Sequence, residues 1–292
     1  MKAPSPPRVV AIGGGHGLAA TLRASRTYAG SLAALVSVAD DGGSSGRLRE
    51  LLGIVPPGDL RKCLVALAAD DSLIARVFEH RFANGSGELA GHAVGNLVIA
   101  GLVDVTGSLQ EALDQAGRLL GCVGRVHACS TGPVVLQAVT SSGLVQGQTR
   151  IMRTSGIARV RLSPEEAEVP EEAIEALASA DQIVIGPGSL YTSVLPAALP
   201  PAVASVLATT RAQRVYVANL KAQAGETEGY DVSDHVSALQ EHGIEVDVVL
   251  ADTSGISLGD VRMPVAERDL ARPHGLSHDP VKLASALLDL LR

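Results

Sequence analysis

The sequence is poor in aromatic residues and in positive charge. Its 292 residues contain no Trp, two Phe and four Tyr, and 24 Lys and Arg stand against 31 Asp and Glu, for a net charge of −7. Proteins that bind nucleic acid hold phosphates in basic grooves and stack unpaired bases on aromatic rings, so this composition argues against a nucleic-acid partner. Hydrophobic residues make up 46% of the chain, which is enough for a core and argues against disorder.

Cysteine and long apolar runs are also scarce. The three cysteines, Cys63, Cys122 and Cys129, are odd in number and form no C-x-x-C pair, as is usual in a reducing cytosol. No apolar run approaches the ~18 residues that span a bilayer. Only four apolar residues follow Arg8 before glycines intervene, too few for a signal peptide. These features predict a cytoplasmic protein without a membrane span.

Short β-branched segments alternate with segments of helical periodicity. Strands are predicted at residues 8–12, 32–38, 182–185, 214–217 and 246–250, and amphipathic helices at 94–105, 109–120, 232–239 and 283–290. This alternation is typical of a parallel sheet with helices on both faces. Residues 121–162 differ, because strand-like segments split by turns predict a small antiparallel insertion. We therefore expect a single α/β domain over residues 1–292.

Glycine is abundant, with 31 residues, and clusters after predicted strands. The first cluster, Gly13, Gly14 and Gly15 with His16, follows the first strand and opens a helix. Backbone amides that no side chain covers can approach a phosphate, and a helix N-terminus favours negative charge. The cluster departs from the G-x-G-x-x-G pattern at Leu18 and lacks the Gly-Lys-Ser/Thr of a P-loop. A tight turn without a ligand is the alternative.

Acidic, hydroxyl and basic groups follow the second predicted strand in one short run. Asp40 and Asp41 could accept hydrogen bonds from a ribose or hold Mg²⁺ that bridges phosphates. Ser44, Ser45 and Arg47 carry groups suited to a diphosphate. A flexible surface loop with an Asx turn is the alternative, and the packed run favours a ligand site.

Two further clusters open predicted helices. Asp59 is positioned to cap the helix that continues through residues 64 and 67, and a ligand contact is the equal alternative; Arg61 follows it. His92 and Asn96 begin the helix at 94–105, where the helix dipole disfavours a protonated His92. His92 is either a neutral donor or acceptor for a ligand or an ordinary loop histidine.

Two more clusters trail the predicted strands at 182–185 and 214–217. In the first, Gly188 precedes Ser189 and Thr192, whose hydroxyls suit a helix cap or an anion. In the second, Asn219 follows the strand and Tyr230 ends a Gly-Glu-Thr-Glu-Gly run. Open α/β sheets bind ligands at the carboxyl ends of their strands, so these clusters are expected to meet at one edge.

The long motifs, taken jointly and in order, resemble the gluconeogenesis factor family (YvcK-like). The matching strings lie at residues 13–18, 38–49, 56–61, 91–97, 186–193 and 225–230. The resemblance implies a Rossmann-like three-layer α/β/α fold related to 2-phospho-L-lactate transferase (CofD-like). It further implies a cytoplasmic bacterial protein, required for cell shape and growth on gluconeogenic carbon sources, that binds UDP-sugars such as UDP-N-acetylglucosamine without established catalysis. His16 and Lys62 depart from the family pattern, which often has Thr and Asn there.

Three functions follow from these patterns. The first is a regulator that binds a nucleotide sugar without turnover, with a homo-oligomer and a partner in cell-wall synthesis as further expectations. The second is a transferase of a phosphorylated group, with Asp40, Asp41 and His92 as catalytic candidates and Mg²⁺ on the two carboxylates. The third is an NAD-dependent oxidoreductase, which rests on the first glycine turn and Asp40 alone. The candidate ligand-binding residues are Gly13, Gly14, Gly15, His16, Asp40, Asp41, Ser44, Ser45, Arg47, Asp59, Arg61, His92, Asn96, Gly188, Ser189, Thr192, Asn219 and Tyr230.

Overall fold

A computed structural model describes residues 5–83 and 87–291 of the chain. The strands are β1 (Arg8–Gly13), β2 (Ser31–Val36), β3 (Arg125–Ala128), β4 (Val135–Thr140), β5 (Gly143–Gln146), β6 (Ile157–Ser163), β7 (Gln182–Ile185), β8 (Gln213–Val217), β9 (Val248–Ala251) and β10 (Val265–Glu267). The helices are α1 (Gly15–Ser25), α2 (Gly43–Leu52), α3 (Gly58–Leu67), α4 (Leu73–Glu79), α5 (Val94–Thr106), α6 (Leu109–Leu120), α7 (Gln148–Ile151), α8 (Glu171–Ala178), α9 (Leu195–Ala198), α10 (Pro201–Thr209), α11 (Val232–Glu241) and α12 (Pro280–Leu290). A 3₁₀ turn covers Gly87–Leu89 and a π-helical turn covers Leu190–Val194.

Seven strands form one parallel sheet in the order β10-β9-β8-β7-β1-β2-β3. The chain builds this sheet outward from β1, first through β2 and β3 on one side and later through β7 to β10 on the other. β1 and β7 are neighbours, with Ile12 opposite Ile185, and the chain continues from them in opposite directions. Ligands of open α/β sheets bind at such a switch point, beyond the carboxyl ends of the strands. The topology therefore places a cleft beside β1 and β7.

The central strands are buried on both faces. Residues 9–13 of β1 and 32–36 of β2 are all buried, as expected for parallel strands between two helical layers. Helix α1 packs against α3 and α12, and helix α8 packs against α10. The chain thus has the predicted three-layer α/β/α fold with a mostly parallel sheet.

The stretch predicted to be antiparallel divides into two parts. Arg125–Ala128 is instead a parallel edge strand of the large sheet, hydrogen-bonded to β2. The strands β4, β5 and β6 form a separate antiparallel sheet in the order β5-β4-β6. A short apolar run does not encode the direction in which it will pair, which is why the sequence pattern did not separate β3 from its neighbours.

Helix α2 covers residues that the sequence pattern predicts to be a diphosphate site or, alternatively, a flexible surface loop. It begins with two glycines and two serines, which are poor helix formers. Tertiary packing overrides that preference. A Cβ atom at Gly46 would lie 2.2 Å from the backbone oxygen of Asp41, so glycine lets this helix approach the preceding chain closely, and Ser44 and Ser45 are buried.

No single helix among the described residues is both long and apolar enough to cross a bilayer. Two short helical segments, Leu190–Ala198 and Pro201–Thr209, reach that length only together, and they are bent by 78° at the break between them.

Candidate functional site

A cleft lies at the carboxyl ends of β1, β7 and β8. It consists of two adjoining cavities of about 290 and 480 Å³. Both are lined by His16, Gly17, Gly188, Ser189, Gln223 and Leu276. We call the whole groove the switch-point cleft, the larger cavity its polar half and the smaller cavity its outer half.

The turn from β1 to α1 forms one wall of the cleft. Gly15 has φ +61°, a left-handed conformation that glycine adopts without strain. Its N–H donates to Asp59 Oδ2 at 2.8 Å, and a Cβ atom at Gly14 would lie 2.8 Å from the same oxygen. Glycine is therefore needed to bring the start of α1 close to Asp59. The first-turn amides of α1, which have no partner within the helix, lie at the polar half.

Asp59 has a different role from the predicted helix cap, and that prediction is wrong. Helix α3 begins at Gly58 after Pro57, so Asp59 is already inside its first turn. Its carboxyl instead accepts the Gly15 N–H and a hydrogen bond from Lys62 Nζ at 2.9 Å. Asp59 thus joins α3 to the glycine turn of α1 and lines the polar half.

The adjacent carboxyls of Asp40 and Asp41 point to different places. Asp40 lines the polar half and accepts the Gly42 N–H at 2.9 Å. Burial raises the pKa of Asp40, and the nearby charge of Asp59 raises it further. Asp41 accepts both the N–H and the hydroxyl of Thr149, at 2.9 and 2.6 Å, and so holds the start of α7. The carboxyl that shares the cleft with Asp40 is therefore that of Asp59 rather than that of Asp41.

Four candidate residues form a buried hydrogen-bonded chain outside the cleft lining. Arg61 Nε donates to Asn96 Oδ1 at 3.0 Å, and Asn96 Nδ2 donates to Ser44 Oγ at 3.0 Å. Ser44 Oγ in turn lies 3.0 Å from His92 Nδ1. All four side chains belong to buried residues, and burial together with Arg47 lowers the pKa of His92. This chain links α2, α3 and α5, and its geometry indicates a structural role.

Replacing Asn96 with Ala should therefore lower stability without altering the cleft. The substitution removes the shared partner of Arg61 and Ser44 and leaves the buried Nε–H of Arg61 without an acceptor, which is costly even though the same side chain keeps its contacts with Phe78 and Glu79. We expect the free energy of unfolding to fall by about 2–3 kcal/mol in urea denaturation. Gln115→Ala, on the outer side of α6, is the control and should change stability by less than about 0.5 kcal/mol. A loss from Asn96→Ala as small as that of the control would contradict the structural role.

Ser45 and Arg47 also lie on α2 without lining the cleft. The Ser45 hydroxyl hydrogen-bonds to Asp40 and opposes the rise in the pKa of that carboxyl. Arg47 is exposed, and its Nη2 donates to the backbone oxygen of Ala90 at 2.7 Å. The run expected to hold a diphosphate thus forms the start of a helix, and its Ser45 contacts a carboxyl that lines the cleft.

The turn after β7 forms the opposite wall. Asn219, just beyond β8, accepts the Gly188 N–H and donates to the Gly188 carbonyl, both at 2.9 Å. Ser189 donates to Gln223 Oε1 at 3.0 Å and accepts from Gln223 Nε2 at 2.7 Å. These paired contacts hold the second glycine turn against the loop after β8. Gly188, Ser189 and Asn219 therefore lie together at the cleft, as expected for carboxyl-end loops.

Thr192 lies at the base of the polar half, with Glu226 close to it. In the described part of the chain, neither the Thr192 hydroxyl nor the Glu226 carboxyl has a hydrogen-bond partner of good geometry. Burial raises the pKa of Glu226 to about 7, and the neighbouring Thr192 and Ser189 hydroxyls limit that rise. Tyr230 does not line either half; its hydroxyl lies 3.0 Å from that of Tyr191.

Several lining residues were not among the sequence candidates. Gln148 reaches the polar half from α7 and donates to the Thr192 carbonyl at 3.0 Å. Lys221 and His278 line the outer half. The Nε2 atom of His278 is buried without a partner in the described structure, and burial lowers the pKa of this residue to about 4. No local motif marks these positions: Gln148 reaches the cleft from the segment after β5, Lys221 from the loop after β8 and His278 from the C-terminal segment.

The cleft therefore combines donors for an anion with two carboxyls. Backbone amides of two glycine turns, Lys62 and Lys221 are the donors, and Asp40 and Asp59 are the carboxyls. Among the described residues, no group of three or more His, Cys, Asp or Glu could hold a metal ion. The chemistry of this lining suits a polar anionic ligand contacted mainly by backbone and by neutral side chains.

The chain is similar in sequence and structure to several known proteins. The family model described as "2-phospho-L-lactate transferase CofD" matches residues 9–282. The "Gluconeogenesis factor" of Halalkalibacterium halodurans is 43% identical, over 83% of this chain and 76% of its own length. The "Gluconeogenesis factor" of Bacillus subtilis is 37% identical, over 98% of both chains. A crystal structure of a UPF0052 family member from Bacillus halodurans has a TM-score of 0.92 at 36% identity, covering 98% of this chain and all of that one.

Proposed function

Because the chain belongs to the CofD family and is similar to its gluconeogenesis factors, we propose that it binds a nucleotide sugar, such as UDP-N-acetylglucosamine, and acts as a regulator without turnover. The observation that carries this proposal is the meeting of two glycine turns across one cleft. Residues 14–17 at the start of α1 and residues 187–189 after β7 line the same groove. Exposed amides at a helix N-terminus and in such turns are suited to phosphate groups.

The polar half is assigned to the diphosphate. Its lining places the backbone amides of His16 and Gly17 and the ammonium of Lys62 beside the hydroxyls of Ser189 and Thr192. These groups donate hydrogen bonds or positive charge to phosphate oxygens. Asp40 and Asp59 then face the sugar hydroxyls, for which carboxylates are good acceptors.

The outer half is assigned to the nucleoside. Ala20, Leu220 and Leu276 supply apolar surface, and Asn219 and His278 supply polar groups at its edge. Small-molecule sites are commonly apolar pockets of ~300–1,000 Å³ with a few placed polar groups. The two halves, of about 290 and 480 Å³, together fall within that range.

The regulatory role follows from the similarity to gluconeogenesis factors. We place the protein's action in the cytoplasm, in cell-shape and cell-wall metabolism during growth on gluconeogenic carbon sources. Binding of a cell-wall precursor would report its supply, and a homo-oligomer or a partner protein of cell-wall synthesis would transmit that signal.

A charge placed at the cleft tests the proposal directly. Leu276 lines both halves and is 74% exposed, so Leu276→Asp adds a carboxylate to the cleft with little effect on folding. Repulsion of the diphosphate should weaken UDP-N-acetylglucosamine binding by roughly tenfold or more in isothermal titration calorimetry. Leu51→Asp is the matched control, because Leu51 is 75% exposed on α2, outside the cleft lining.

Leu51→Asp should keep the wild-type dissociation constant, although it has the same net charge as Leu276→Asp. If the wild-type chain gives no heat with millimolar UDP-N-acetylglucosamine, or if both Asp variants weaken binding equally, the assignment of the ligand to this cleft is wrong.

Transfer of a phosphorylated group is the second candidate, and the pairing of Asp40 with Asp59 at the cleft favours it. Two carboxyls there could hold a metal ion for transfer of a phosphorylated group, and the family model is described as a transferase. A flat aromatic acceptor would need stacking partners, and the described lining contains no Phe, Tyr or Trp. Release of UMP from UDP-N-acetylglucosamine in the presence of Mg²⁺ and the protein, with N-acetylglucosamine 1-phosphate passed to an acceptor or to water, would favour this function over binding alone.

A further inference from the structure

We propose that Lys62 supplies the positive charge that a divalent cation would otherwise bring to the polar half, so that this chain binds its ligand's diphosphate without a metal. The inference concerns the same site as the proposed function. Its statement about the ligand's diphosphate rests on that function. It concerns one lysine that lines the polar half.

The acidic groups of the polar half are already engaged by hydrogen-bond donors from the protein. Asp59 Oδ2 accepts the Gly15 N–H at 2.8 Å and Oδ1 accepts Lys62 Nζ at 2.9 Å. Asp40 Oδ1 accepts the Gly42 N–H at 2.9 Å, and the same carboxyl is hydrogen-bonded by Ser45. A resident divalent cation would have to compete with these donors for oxygen ligands. The donor set therefore does not fit such an ion well.

The position of the ammonium matters as much as the hydrogen bonds. The side chains of Lys62 and Asp59 are only 21% and 10% exposed, so solvent screens their interaction weakly. A cation approaching Asp59 Oδ1 meets a positive charge at hydrogen-bond distance, and like charges repel most strongly where screening is weak. Lys62 thus places one positive charge at the oxygen of Asp59 that a divalent ion would need as a ligand.

The ammonium of Lys62 also has N–H groups that Asp59 does not use. An ammonium group carries three N–H bonds, and one of them is used by Asp59. The others are available to a phosphate in the polar half, which Lys62 lines. The charge of Lys62 also lowers the pKa of Asp40, against the opposite effects of burial and Asp59. An Asn at position 62 could hydrogen-bond to Asp59 but would leave both carboxyl charges unbalanced.

Mn²⁺ binding to the ligand-free chain provides a test that needs no nucleotide. Free Mn²⁺ is measured by electron paramagnetic resonance for the wild type, Lys62→Asn, Lys62→Arg and the double variant Lys62→Asn/Asp59→Asn. We expect the Lys62→Asn chain to gain one Mn²⁺ site at least roughly tenfold tighter than any wild-type site, because the repelling charge is gone. The second substitution should abolish that site, and Lys62→Arg, which keeps the charge, should behave as the wild type. Thermal unfolding confirms that each variant is folded.

Nucleotide binding provides a second test of the role of Lys62. Calorimetry with UDP-N-acetylglucosamine is run in EDTA and in millimolar Mg²⁺. The wild-type dissociation constant should agree between the two within about twofold, whereas Lys62→Asn should bind at least tenfold more weakly in EDTA and recover in Mg²⁺. Arg118→Ala is the charge-matched control, because it removes one exposed cation on α6, outside the cleft lining, and should leave both values unchanged.

The proposal is overturned if the wild type binds Mn²⁺ as tightly as Lys62→Asn and loses it in Asp40→Asn, or if its nucleotide binding disappears in EDTA. If UDP-N-acetylglucosamine binds in neither condition, the proposed function fails, and the Mn²⁺ measurement still decides the role of Lys62.

Discussion

Gly17→Ala is expected to destabilise the folded chain by about 3 kcal/mol, at the upper end of what overpacking usually costs. Gly17 lies in the first turns of α1, where a Cβ atom would be 2.2 Å from the backbone oxygen of Pro187 and 3.0 Å from the Cα atom of Gly188. Backbone atoms cannot move away from the added Cβ atom as the flexible end of a side chain can. The two glycine turns that line the cleft must therefore separate, and ligand affinity should fall together with stability.

Urea denaturation measures the loss of stability, and Gly101→Ala is the matched control. Gly101 lies inside α5, is exposed, and has no atom within 4 Å of the Cβ position. Alanine is the better helix former, so this variant should gain roughly 0.5–1 kcal/mol. If Gly17→Ala is as stable as the wild type, the close contact between α1 and the turn after β7 does not exist in solution.

Glu226→Gln is expected to change how stability depends on pH. Glu226 is 1% exposed, and burial raises the pKa of its carboxyl from 4.5 to about 7. Below pH 4.5 the carboxyl is protonated in both the folded and the unfolded chain, so this group adds no pH dependence there. Between 4.5 and about 7 only the unfolded chain releases the proton, and the free energy of unfolding therefore falls as the pH rises. Above that range the loss is constant, at about 3 kcal/mol.

A glutamine at this position does not titrate, so the difference in stability between variant and wild type should grow in the variant's favour from pH 5 to pH 8. We expect the difference to change by about 2–3 kcal/mol over that interval, measured by urea denaturation at several pH values. Comparing the two pH values removes any constant effect of burying an amide. Glu228→Gln, two residues away and exposed, is the control. A difference for Glu226→Gln that does not vary with pH would show that the carboxyl is not buried as described.

The fold was largely predictable because its signals are local. A run such as residues 9–12 is apolar at every position, which marks a strand buried on both faces, and glycines at 13–15 mark its end. Periodic apolar positions located α5 and α6 to within a residue of their observed bounds. The long motif strings in their order identified the family, and the family match over residues 9–282 agrees with them.

The candidate site was predictable only in part. Loops after parallel strands meet at one edge whatever their side chains do, so Gly14, Gly188 and Asn219 could be assigned to the cleft from the order of elements alone. The partners of individual side chains could not be assigned in this way. Asp40 and Asp41 are neighbours in the chain, yet one lines the cleft and the other holds Thr149.

What the sequence determined by itself was therefore the class of fold, the family and the edge of the sheet where a ligand would bind. These depend on hydrophobic periodicity and on backbone freedom at glycine, which are properties of short segments. Only the tertiary structure decided that Asp59 joins Asp40 and Lys62 at the cleft, and that Arg61, Asn96, Ser44 and His92 form an interior chain instead. Hydrogen bonds and charges act between groups that folding brings within a few ångströms, and separation along the sequence does not reveal which groups those are.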